Sequence, residues 1–462
     1  MRIRLGDVTT TTARLTAVVI SGESIQAEIE PVAAISIAAP DQRVASPYLA
    51  TQLISFSGLQ PFTRYNYSIT QGSQTLTGSF VTLPDDQVTP FSMIIATCDG
   101  PARYNPMDTF QTMRRLVQEA DPPVLYMVTV DDVHYVDSYE VNDPETGFVT
   151  GGRPEDTNNG EDYAICWAAN YGLFNSDGKW QMVDRQWIYR NLPHGCSGGD
   201  HMVTGNHCRG PVGHHTYHGC DRAPGGLQET AFAEWQAFYG QQNPDPLRPD
   251  ELYWAKDIGP VRMACTDIQK HCIAFDPDVN GTGQSSDTPM LGQTQIDDVM
   301  DHLDTDAQAF KILLLETGFS KVGQPWLEYH STEASDWKTD LDSRPNLNGT
   351  QGNFIGIYGD HHSMHSVSFD TFWGFCAGTL GDSFSVGHNL HNATWGWGGA
   401  LQYKWTSFRR NGDVLVGGFL HVIVHADKSP RTVEIRFIHG GSGEVMFSRT
   451  IEYGAVANQF SQ

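Results

Sequence analysis

The chain has 462 residues, 39% of them hydrophobic and 11% aromatic, with a formal net charge of -25 at pH 7. The composition is that of a globular protein, and the length favours two or more domains over a single core. The acidic balance argues against nucleic acid and anionic membranes as partners, because basic surfaces bind both. A phosphate-bearing substrate would need local positive charge, which a bound metal ion can supply.

Neither a membrane span nor an export signal is expected from the sequence. No apolar run approaches the roughly 18 residues that a membrane helix needs. The start, MRIRLGDVTTTTARLTAVV, alternates like a first strand and lacks the apolar region of a signal peptide, which leaves open whether one was removed or never present. The eight cysteines contain no C-x-x-C pair. Short disulfide loops between Cys208 and Cys220 and between Cys265 and Cys272 stay open, as does the redox compartment.

The first part of the chain is predicted to form short strands with turns between them and almost no helical period. Pro61 sets a turn ahead of the strand RYNYSI. Leu59, Pro61, Thr63 and Tyr65 match in order the corner L-x-P-x-T-x-Y of fibronectin type III domains, which this segment resembles. The stretch FVTLPDDQVTP then indicates a last strand and a linker. A fibronectin III-like β-sandwich is therefore expected over residues 1–86.

A strand, a helix and a second strand are predicted after residue 90. The first strand is FSMIIATCDG, the helix is NPMDTFQTMRRLVQEADPP with Asn105 as its N-cap, and the second strand is VLYMVTVDDVHYVD. This order predicts a βαβ unit with a parallel pair of strands. Ligands gather at the carboxyl ends of such strands, so Cys98, Asp99 and residues 131–135 are expected side by side.

The rest of the chain is predicted to mix strands and helices, so the fold class is α/β. Residues 138–200 are loop-rich with an aromatic part, and the sequence assigns them no role. Helices are predicted over 227–240 and at QTQIDDVMDHL. Further strands are indicated by GPVRMACTDIQ, FKILLLETG and GNFIGIYGDHHSMH. The C-terminal segment is predicted to be a meander of antiparallel strands.

Four clusters of metal-ligand residue types follow predicted strands. They are Cys98 with Asp99, Asp132 with His134 and Tyr135, Asn206 with His207, and Asp360 with His361, His362 and His365. Thiolate, carboxylate, imidazole, amide and phenolate groups together suit iron, manganese, zinc or calcium. Taken alone, Cys98 is more often a buried core residue, and Asn206 with His207 is more often part of a turn. The cluster at Asp360 is more specific and favours a site by itself. All four in one chain favour a metal site.

In this order the clusters resemble those of calcineurin-type metallophosphoesterases, and in particular of PhoD-like alkaline phosphatases. In that family a fibronectin-like domain ending in F-x-T-L-P precedes the catalytic part. Cys98 lies in ATC, which is similar to the family's A-S-C. Asp132 and Tyr135 lie in DDVHY, which is similar to G-D-x-x-Y. Asp360 and His362 lie in GDHH, which is similar to G-D-x-H.

The resemblance implies a four-layer αββα metallophosphoesterase domain over residues 87–462, with two or more bound metal ions. The metal ligands that it implies are Cys98, Asp132, Tyr135, Asn206, Asp360 and His362. Asp132 would bridge two ions, and Fe³⁺ with Ca²⁺ is the implied pair, with Zn²⁺ or Mn²⁺ as alternatives. His207, beside Asn206, is expected to protonate the leaving group or to hold the phosphoryl group. His134 is expected to be a ligand or an orienting residue.

The activity that the resemblance implies is hydrolysis of a phosphate monoester or diester by a metal-activated water. Cations make this reaction possible because they remove the repulsion between a hydroxide and an anionic ester. The expected partner is a small phosphate ester, and the implied location is extracellular or periplasmic. The oligomeric state stays open.

Departures from the family pattern motivate an alternative. Asp131 replaces the usual glycine, Cys208 stands in place of the acid of G-N-H-D/E, and the arginine of D-T-R is missing. A degenerate phosphatase fold that serves as a binding or structural protein, for example of a surface layer or a virion, would explain these changes. The G-N-H block is also similar to that of purple acid phosphatases, the sister interpretation. His214, His215 and His218 add charge near a substrate, bind a further metal ion, or belong to a surface loop rich in glycine and histidine.

Overall fold

The computed structural model has a mixed α/β architecture, which confirms the predicted fold class. It describes residues 1–19, 24–44, 49–99, 107–131, 133, 135, 142–143, 148–151, 159–173, 183–199, 202, 227–268, 270, 289–305, 309–316, 318, 331–347, 353–359, 363–378, 380, 397, 399–406 and 417–454. In these ranges the chain forms four larger sheets, a two-stranded ribbon and six α-helices.

The first eight strands form two antiparallel sheets, called here the N-terminal sandwich. They are β1 (Arg2–Val8), β2 (Thr12–Val19), β3 (Ile25–Glu30), β4 (Ala34–Ile37), β5 (Asp41–Val44), β6 (Leu49–Ser57), β7 (Arg64–Gln71) and β8 (Gln74–Val81). One sheet has the order β1-β2-β6, with β4 and β5 both paired to β6, and the other has the order β3-β7-β8. Alternate side chains of both sheets, such as Leu15, Ile54 and Ile69, are buried in one apolar cluster.

The turn predicted at Pro61 leads into a tyrosine corner. The backbone N–H of Gln60 donates to Tyr65 Oη over 2.8 Å. The ring of Tyr65 stacks on Phe80 with 5.7 Å between ring centroids, and Leu59 is buried beside them. Such a tyrosine, bonded back to the backbone a few residues upstream, fixes a strand entry in β-sandwiches. Tyr65 therefore holds the start of β7 against the turn that precedes it.

The later strands form a six-stranded sheet, a seven-stranded sheet and the ribbon. They are β9 (Phe91–Ala96), β10 (Val124–Thr129), β11 (Asn142–Asp143), β12 (Phe148–Val149), β13 (His194–Cys196), β14 (Trp254–Ile258), β15 (Val261–Cys265), β16 (Phe310–Leu315), β17 (Phe354–Tyr358), β18 (Ser363–Ser368), β19 (Trp373–Ala377), β20 (Ala400–Thr406), β21 (Gly418–His425), β22 (Thr432–His439) and β23 (Val445–Glu452). The orders are β13-β10-β9-β21-β22-β23 and β14-β15-β16-β17-β19-β18-β20. Strands β9, β10 and β13 run parallel, as do β15, β16, β17 and β19.

The two larger sheets pack on each other, with helices on their outer faces. The helices are α1 (Met107–Glu119), α2 (Gly160–Asn170), α3 (Val183–Asn191), α4 (Leu227–Phe238), α5 (Gln293–Asp304) and α6 (Ser331–Ser343). One apolar cluster joins β9, β10, β21 and β22 to β15, β16, β17 and β19. Helices α1 and α3 cover the other face of the six-stranded sheet, and α5 and α6 cover that of the seven-stranded sheet.

The predicted βαβ unit and the C-terminal meander are both confirmed. Helix α1 joins the parallel neighbours β9 and β10, and Phe110 and Met113 bury its predicted apolar stripe. Strands β21, β22 and β23 are antiparallel neighbours. The segment 138–200, which received no role from the sequence, contributes α2, α3 and β13.

The helices and cysteines of the described part of the chain bear on membrane insertion and on disulfide bonding. None of its helices combines the length and the apolar character that crossing a membrane requires. Five cysteines of this part of the chain are buried, namely Cys98, Cys166, Cys196, Cys265 and Cys376. Cys265 lies in the apolar cluster between the two larger sheets and forms no disulfide, so the Cys265–Cys272 loop that the sequence left open is absent. Cys208 and Cys220 lie outside the described residues.

Buried polar contacts join the N-terminal sandwich to the rest of the chain. Lys256 Nζ on β14 donates to Asp7 Oδ1 over 2.5 Å, and Tyr126 Oη on β10 donates to the same oxygen over 3.2 Å. At Gly6, an added Cβ would lie 2.3 Å from the carbonyl oxygen of Gln242, so only glycine permits this approach. Buried polar side chains such as Lys256 and Asp7 are stable in the interior only when they are paired. Their contacts therefore fix how the sandwich packs on the rest of the chain.

The Lys256–Asp7 pair should make a large contribution to stability. We expect Lys256→Met to lower the free energy of unfolding by about 3–5 kcal/mol, because the Asp7 carboxylate is left buried without its cation. Lys338→Met is the control, since Lys338 pairs with the exposed Asp342 on α6 and should change stability by at most about 1 kcal/mol. Urea unfolding of both variants measures this. Equal losses in the two variants would contradict the assigned role of the buried pair.

Candidate active site at the carboxyl ends of the strands

Two adjacent parallel strands each lead into a residue with left-handed backbone conformation. Cys98, just after β9, has φ +54°, and Asp131, just after β10, has φ +66°. The strands remain paired almost to these points, because Val130 N–H donates to the Ala96 carbonyl over 2.8 Å. Non-glycine residues at positive φ are uncommon, and strained backbone of this kind clusters at functional sites.

The second sheet reaches the same place through Gly359, which follows β17. A Cβ added to Gly359 would lie 2.5 Å from Asp131 Cβ and 2.5 Å from Thr97 Oγ1. No real Cβ tolerates such contacts, so glycine is required here. The carboxyl ends of β9, β10 and β17 therefore meet at one point. The sequence predicted that Cys98 and residue 131 lie side by side. The structure adds a third strand, β17 of the opposite sheet, at the same place.

The predicted ligands fall into two groups. Cys98 is fully buried and Tyr135 is 3% exposed, and both belong to one buried cluster that also contains Val133. The others lie outside the described residues; they are Asp132, His134, Asn206, His207, Asp360 and His362. The histidines 214, 215, 218 and 361 lie outside them as well. Within the described ranges, no group of three or more His, Cys, Asp or Glu side chains could hold a metal ion.

His365, the last histidine of the GDHHSMH cluster, lies inside β18 and is fully buried. Its Nε2 is 2.8 Å from Tyr358 Oη and its Nδ1 is 3.0 Å from Ser363 Oγ. Both ring nitrogens therefore have hydrogen-bond partners within the protein. These contacts hold the imidazole against the end of β17 and the start of β18.

Arg185 on α3 connects the two loops that carry the candidate ligands. Its Nη2 donates to Asp99 Oδ2 over 2.6 Å and also to Asn170 Oδ1. Asn170 at the end of α2 donates through Nδ2 to the Val133 carbonyl over 3.1 Å. Asp99 is the residue after Cys98, and Val133 lies between Asp132 and His134. One guanidinium therefore fixes the loop after β9 relative to the loop after β10.

The Asp99 carboxylate is buried in this network. Tyr189 Oη donates to Asp99 Oδ2 over 2.9 Å, and Arg185 Nε donates to Tyr189 Oη over 3.0 Å. Burial raises the pKa of Tyr189 well above its usual value although Arg185 acts against this, so the phenol stays a donor. Asp99 Oδ1 is buried and has no hydrogen-bond partner in the described part of the chain. An unsatisfied carboxylate oxygen favours a nearby cation or donor.

The N-terminal sandwich also reaches this end of the six-stranded sheet. Arg4 Nη2 on β1 lies 2.7 Å from His194 Nδ1 and 3.1 Å from His194 Nε2, and Thr129 Oγ1 lies 2.7 Å from the same Nε2. Burial, followed by the charges of Arg4 and Arg185, holds the pKa of His194 well below 6.5, so this imidazole is neutral. The Arg4 guanidinium lies 3.9 Å from the ring centroid of Tyr239. The contact between His194 and Thr129 holds the end of β10, two residues before Asp131.

Glu316, just after β16, joins the two sheets on the other side. Its Oε1 accepts from Gly199 N–H over 3.1 Å, and its Oε2 accepts from Ile268 N–H over 2.9 Å. Ser197 Oγ accepts from the backbone N–H of Asp131 over 2.7 Å. Burial, with the charge of Glu316, raises the pKa of the Cys265 thiol well above its usual value. The segment after β13 is therefore attached both to Asp131 and to the seven-stranded sheet.

The sequence analysis missed these supporting residues. Asn170, Arg185, Ser197 and Glu316 lie in segments without a recognised motif. The sequence of α2 could have indicated one of them, because this helix is largely apolar. Its residues from Asp162 to Asn170 are all buried. A helix that is apolar on all sides is typical of a buried position, so a polar residue at its end needs a buried partner. The pairing of Asn170 with Arg185 could not be read from the sequence.

Comparison with known proteins gives one informative similarity, at the level of fold. No family model matches the sequence, and no curated protein matches it. The structure of PhoD is similar over 99% of this chain and 92% of that chain, with a TM-score of 0.62 and 12% identity. GAP50, the anchor in the inner membrane complex of Plasmodium, covers 79% of this chain and 89% of its own, with a TM-score of 0.40 and 9% identity. The first similarity shows that this chain has a PhoD-like fold.

Replacement of Asp131 should reveal the cost of its left-handed backbone. We expect Asp131→Gly to be more stable than Asp131→Ala by about 1 kcal/mol, because both lose the carboxylate but only alanine keeps the strained φ. The matched pair is at Asp336, an exposed residue inside α6, where glycine should instead be less stable than alanine by about 1 kcal/mol. Urea unfolding of the four variants measures both differences. Greater stability of alanine at both positions would contradict the assigned strain.

Proposed function

We propose that this chain hydrolyses phosphate monoesters or diesters with the help of bound metal ions. The observation that carries the proposal is the meeting of the ends of β9, β10 and β17. Cys98, Asp131 and Gly359 lie there, and the latter two immediately precede the candidate ligands Asp132 and Asp360. The PhoD-like fold supports the same class of reaction.

The described groups around this point fit a cationic occupant. Cys98 and Tyr135 are buried in the same cluster, and a thiolate is a good ligand for a metal ion. The buried Asp99 Oδ1 lacks a hydrogen-bond partner among the described residues, and Asp131 adds a second fully buried carboxylate. A set of thiolate, phenolate, carboxylate, amide and imidazole donors suits a mixed pair of ions.

The proposed metal ligands are Cys98, Asp132, Tyr135, Asn206, Asp360 and His362. Fe³⁺ with Ca²⁺ is the proposed pair, and Zn²⁺ and Mn²⁺ are the other candidates. When bound, such ions supply the activated water and the charge that hydrolysis of an anionic ester needs. His207, the residue after Asn206, would transfer a proton to the leaving oxygen. His134 would orient a neighbouring ligand.

Residues outside this set would hold the ligands in place. Arg185 and Asn170 tie the loop after Cys98 to the carbonyl of Val133, and Ser197 binds the backbone of Asp131. Supporting contacts of this kind matter because a displacement of a few tenths of an ångström weakens a metal site. The Arg185 charge is balanced by Asp99, so it fixes geometry more than it adds net positive charge.

The same proposal assigns an identity to each of two domains. Residues 1–86 would form a fibronectin III-like β-sandwich, for which the Tyr65 corner and the two facing sheets are the support. Residues 87–462 would form a four-layer αββα metallophosphoesterase domain, supported by the packing of helices on both outer faces of the paired sheets. A small phosphate ester as substrate and an extracellular or periplasmic location complete the proposal.

A second candidate function is a binding or structural role without catalysis. The observation that favours it is Asp131, a fully buried acid in a backbone conformation that favours glycine. An acid at a position where the family has glycine is a departure close to the proposed ligands, and such departures are expected when a fold no longer carries out its reaction. The two candidates make opposite predictions for turnover.

Metal content and phosphoester cleavage test the proposal together. We expect the purified chain to carry metal by elemental analysis and to cleave p-nitrophenyl phosphate or its diester. Cys98→Ala should lower activity by more than about 100-fold, since loss of a ligand exceeds the effect of supporting contacts. Alanine keeps the strained φ of this position, so the change removes the thiol alone.

Cys166→Ala is the matched control, because it removes another buried thiol of the same apolar cluster. It should keep both metal and activity. Wild-type protein that holds none of iron, zinc, manganese or calcium and cleaves neither ester would end the enzymatic proposal. Stoichiometric metal without any turnover would favour the binding or structural role.

Tyr135 provides a spectroscopic test of the ferric ion. A ferric ion bound by a phenolate absorbs visible light, so the wild type should be coloured and Tyr135→Phe should lose that absorption band while it stays folded. Tyr163→Phe is the control, because Tyr163 is a buried phenol of the same cluster. A colourless wild type that nevertheless contains metal would refute the ferric assignment and leave Zn²⁺ or Mn²⁺.

A further inference from the structure

The free edge of the N-terminal sandwich carries an uncharged apolar segment. Residues 31–40 read PVAAISIAAP and contain no Asp, Glu, Lys or Arg, in a chain of which 18% is charged. Strand β4 lies in this segment, and all four of its residues are exposed. Val32 is 92% exposed, Ile35 38% and Ile37 36%. Natural proteins normally protect such edges with charges, so an unprotected edge indicates a partner.

The backbone of β4 has unpaired groups at regular positions. Strand β4 pairs with β6 on one side, and no other described strand pairs with its second side. Ala38 N–H donates to the Leu53 carbonyl over 2.9 Å, so even-numbered residues of this antiparallel pair direct their backbone groups toward β6. The odd-numbered residues Ile35 and Ile37 therefore direct theirs away from β6, toward the free edge.

The neighbouring half of the same edge is protected in the usual way. Strand β5 continues along β6 and contains Asp41 and Arg43. Arg43 Nε donates to Glu234 Oε2 on α4 over 3.0 Å, and Arg43 Nη1 donates to Asp41 Oδ2 over 2.7 Å. Charged side chains and a contact with α4 cover β5, whereas the residues of β4 are uncharged and exposed. The exposed apolar edge is thus confined to one segment.

We propose that β4 is a dimerisation edge that pairs with β4 of a second copy of this chain. The sequence of residues 33–39, AAISIAA, reads the same in both directions about Ser36. A two-fold axis through Ser36 places Ile35 opposite Ile37 of the second copy in an antiparallel pair. The outward groups of these residues then form two pairs of reciprocal hydrogen bonds, and like side chains meet on each face.

The charge distribution fits this occupant. Each copy carries a formal charge of -25, so contact over most of the surface is repulsive. A contact restricted to an uncharged strand avoids the close approach of acidic groups. Pro31 and Pro40 flank the segment and lack N–H groups, which limits the length of the pairing. A single strand pair is smaller than a standard interface, so the dimer should form with increasing concentration. The inference is independent of the proposed catalytic activity.

Cross-linking at the two-fold axis tests the register. Ser36 and its copy would form a pair without mutual hydrogen bonds, with Cα atoms about 4.5 Å apart, within the range of about 4.4–6.8 Å that a disulfide spans. Ser36→Cys should therefore give a disulfide-linked dimer on mild oxidation, as seen on a non-reducing gel beside oxidised wild type. Ala34→Cys alone should not cross-link, but a mixture of Ala34→Cys and Ala38→Cys chains should, because these positions face each other across the axis.

The oligomeric state tests the interface without cysteine chemistry. Sedimentation of the full chain should show a dimer whose fraction rises with concentration and with salt, because salt screens the acidic repulsion. The double variant Ile35→Lys/Ile37→Lys should be monomeric, while Val88→Lys/Val183→Lys, which changes two exposed valines elsewhere, should dimerise like wild type. A wild type that stays monomeric up to millimolar concentration, a dimer that survives the β4 lysines, or equal cross-linking of Ala34→Cys with itself would overturn the proposal.

Discussion

The close approach of Gly359 to Asp131 and Thr97 is the constraint on which the candidate site depends. It joins the end of β17 to the ends of β9 and β10, and no side chain at Gly359 would permit it. The two sheets pack through a large apolar cluster, but that cluster alone does not fix where their carboxyl ends meet. The steric requirement at Gly359 does so, and it sets three strand ends around one point. Ligand sites in α/β folds occur at such strand ends.

Buried polar side chains then maintain the loops that leave this point. Arg185 ties Asp99 to Asn170, and Glu316 ties the segment after β13 to the seven-stranded sheet. Each of these groups is costly to bury alone and stable only in its pair, so the network has one arrangement that satisfies it. The loops therefore have a defined geometry, because a buried charged side chain that loses its partner lowers the stability of the protein strongly. This explains why polar residues of unremarkable sequence context lie around the site.

The sequence allowed prediction of what depends on local pattern. The apolar runs of β9 and β10 and the stripe of α1 follow from periodicity, and both are present. The contact of Tyr65 with the backbone of Gln60 is similar to the corner that the resemblance implied. The roles of Arg185 and Glu316 depend on contacts between segments far apart in the chain, which no local pattern encodes. Asp131 is an intermediate case. The sequence singled it out as a replacement for glycine, and its φ of +66° gives the reason glycine is usual there, since aspartate is among the few other residues that tolerate this conformation.

Asp131 and the β4 edge violate opposite rules of protein structure. At Asp131 a charged group is buried, and at β4 apolar groups and backbone are exposed. Both features reduce the stability of an isolated chain, so each needs a compensating partner or a use. At the strand ends the surrounding donors and the proposed cations provide compensation for buried acids. At β4 the proposed second copy provides the compensation, because among the described strands only β6 pairs with it. The same physical reasoning therefore leads from a buried charge to a ligand and from an exposed edge to a second protein copy.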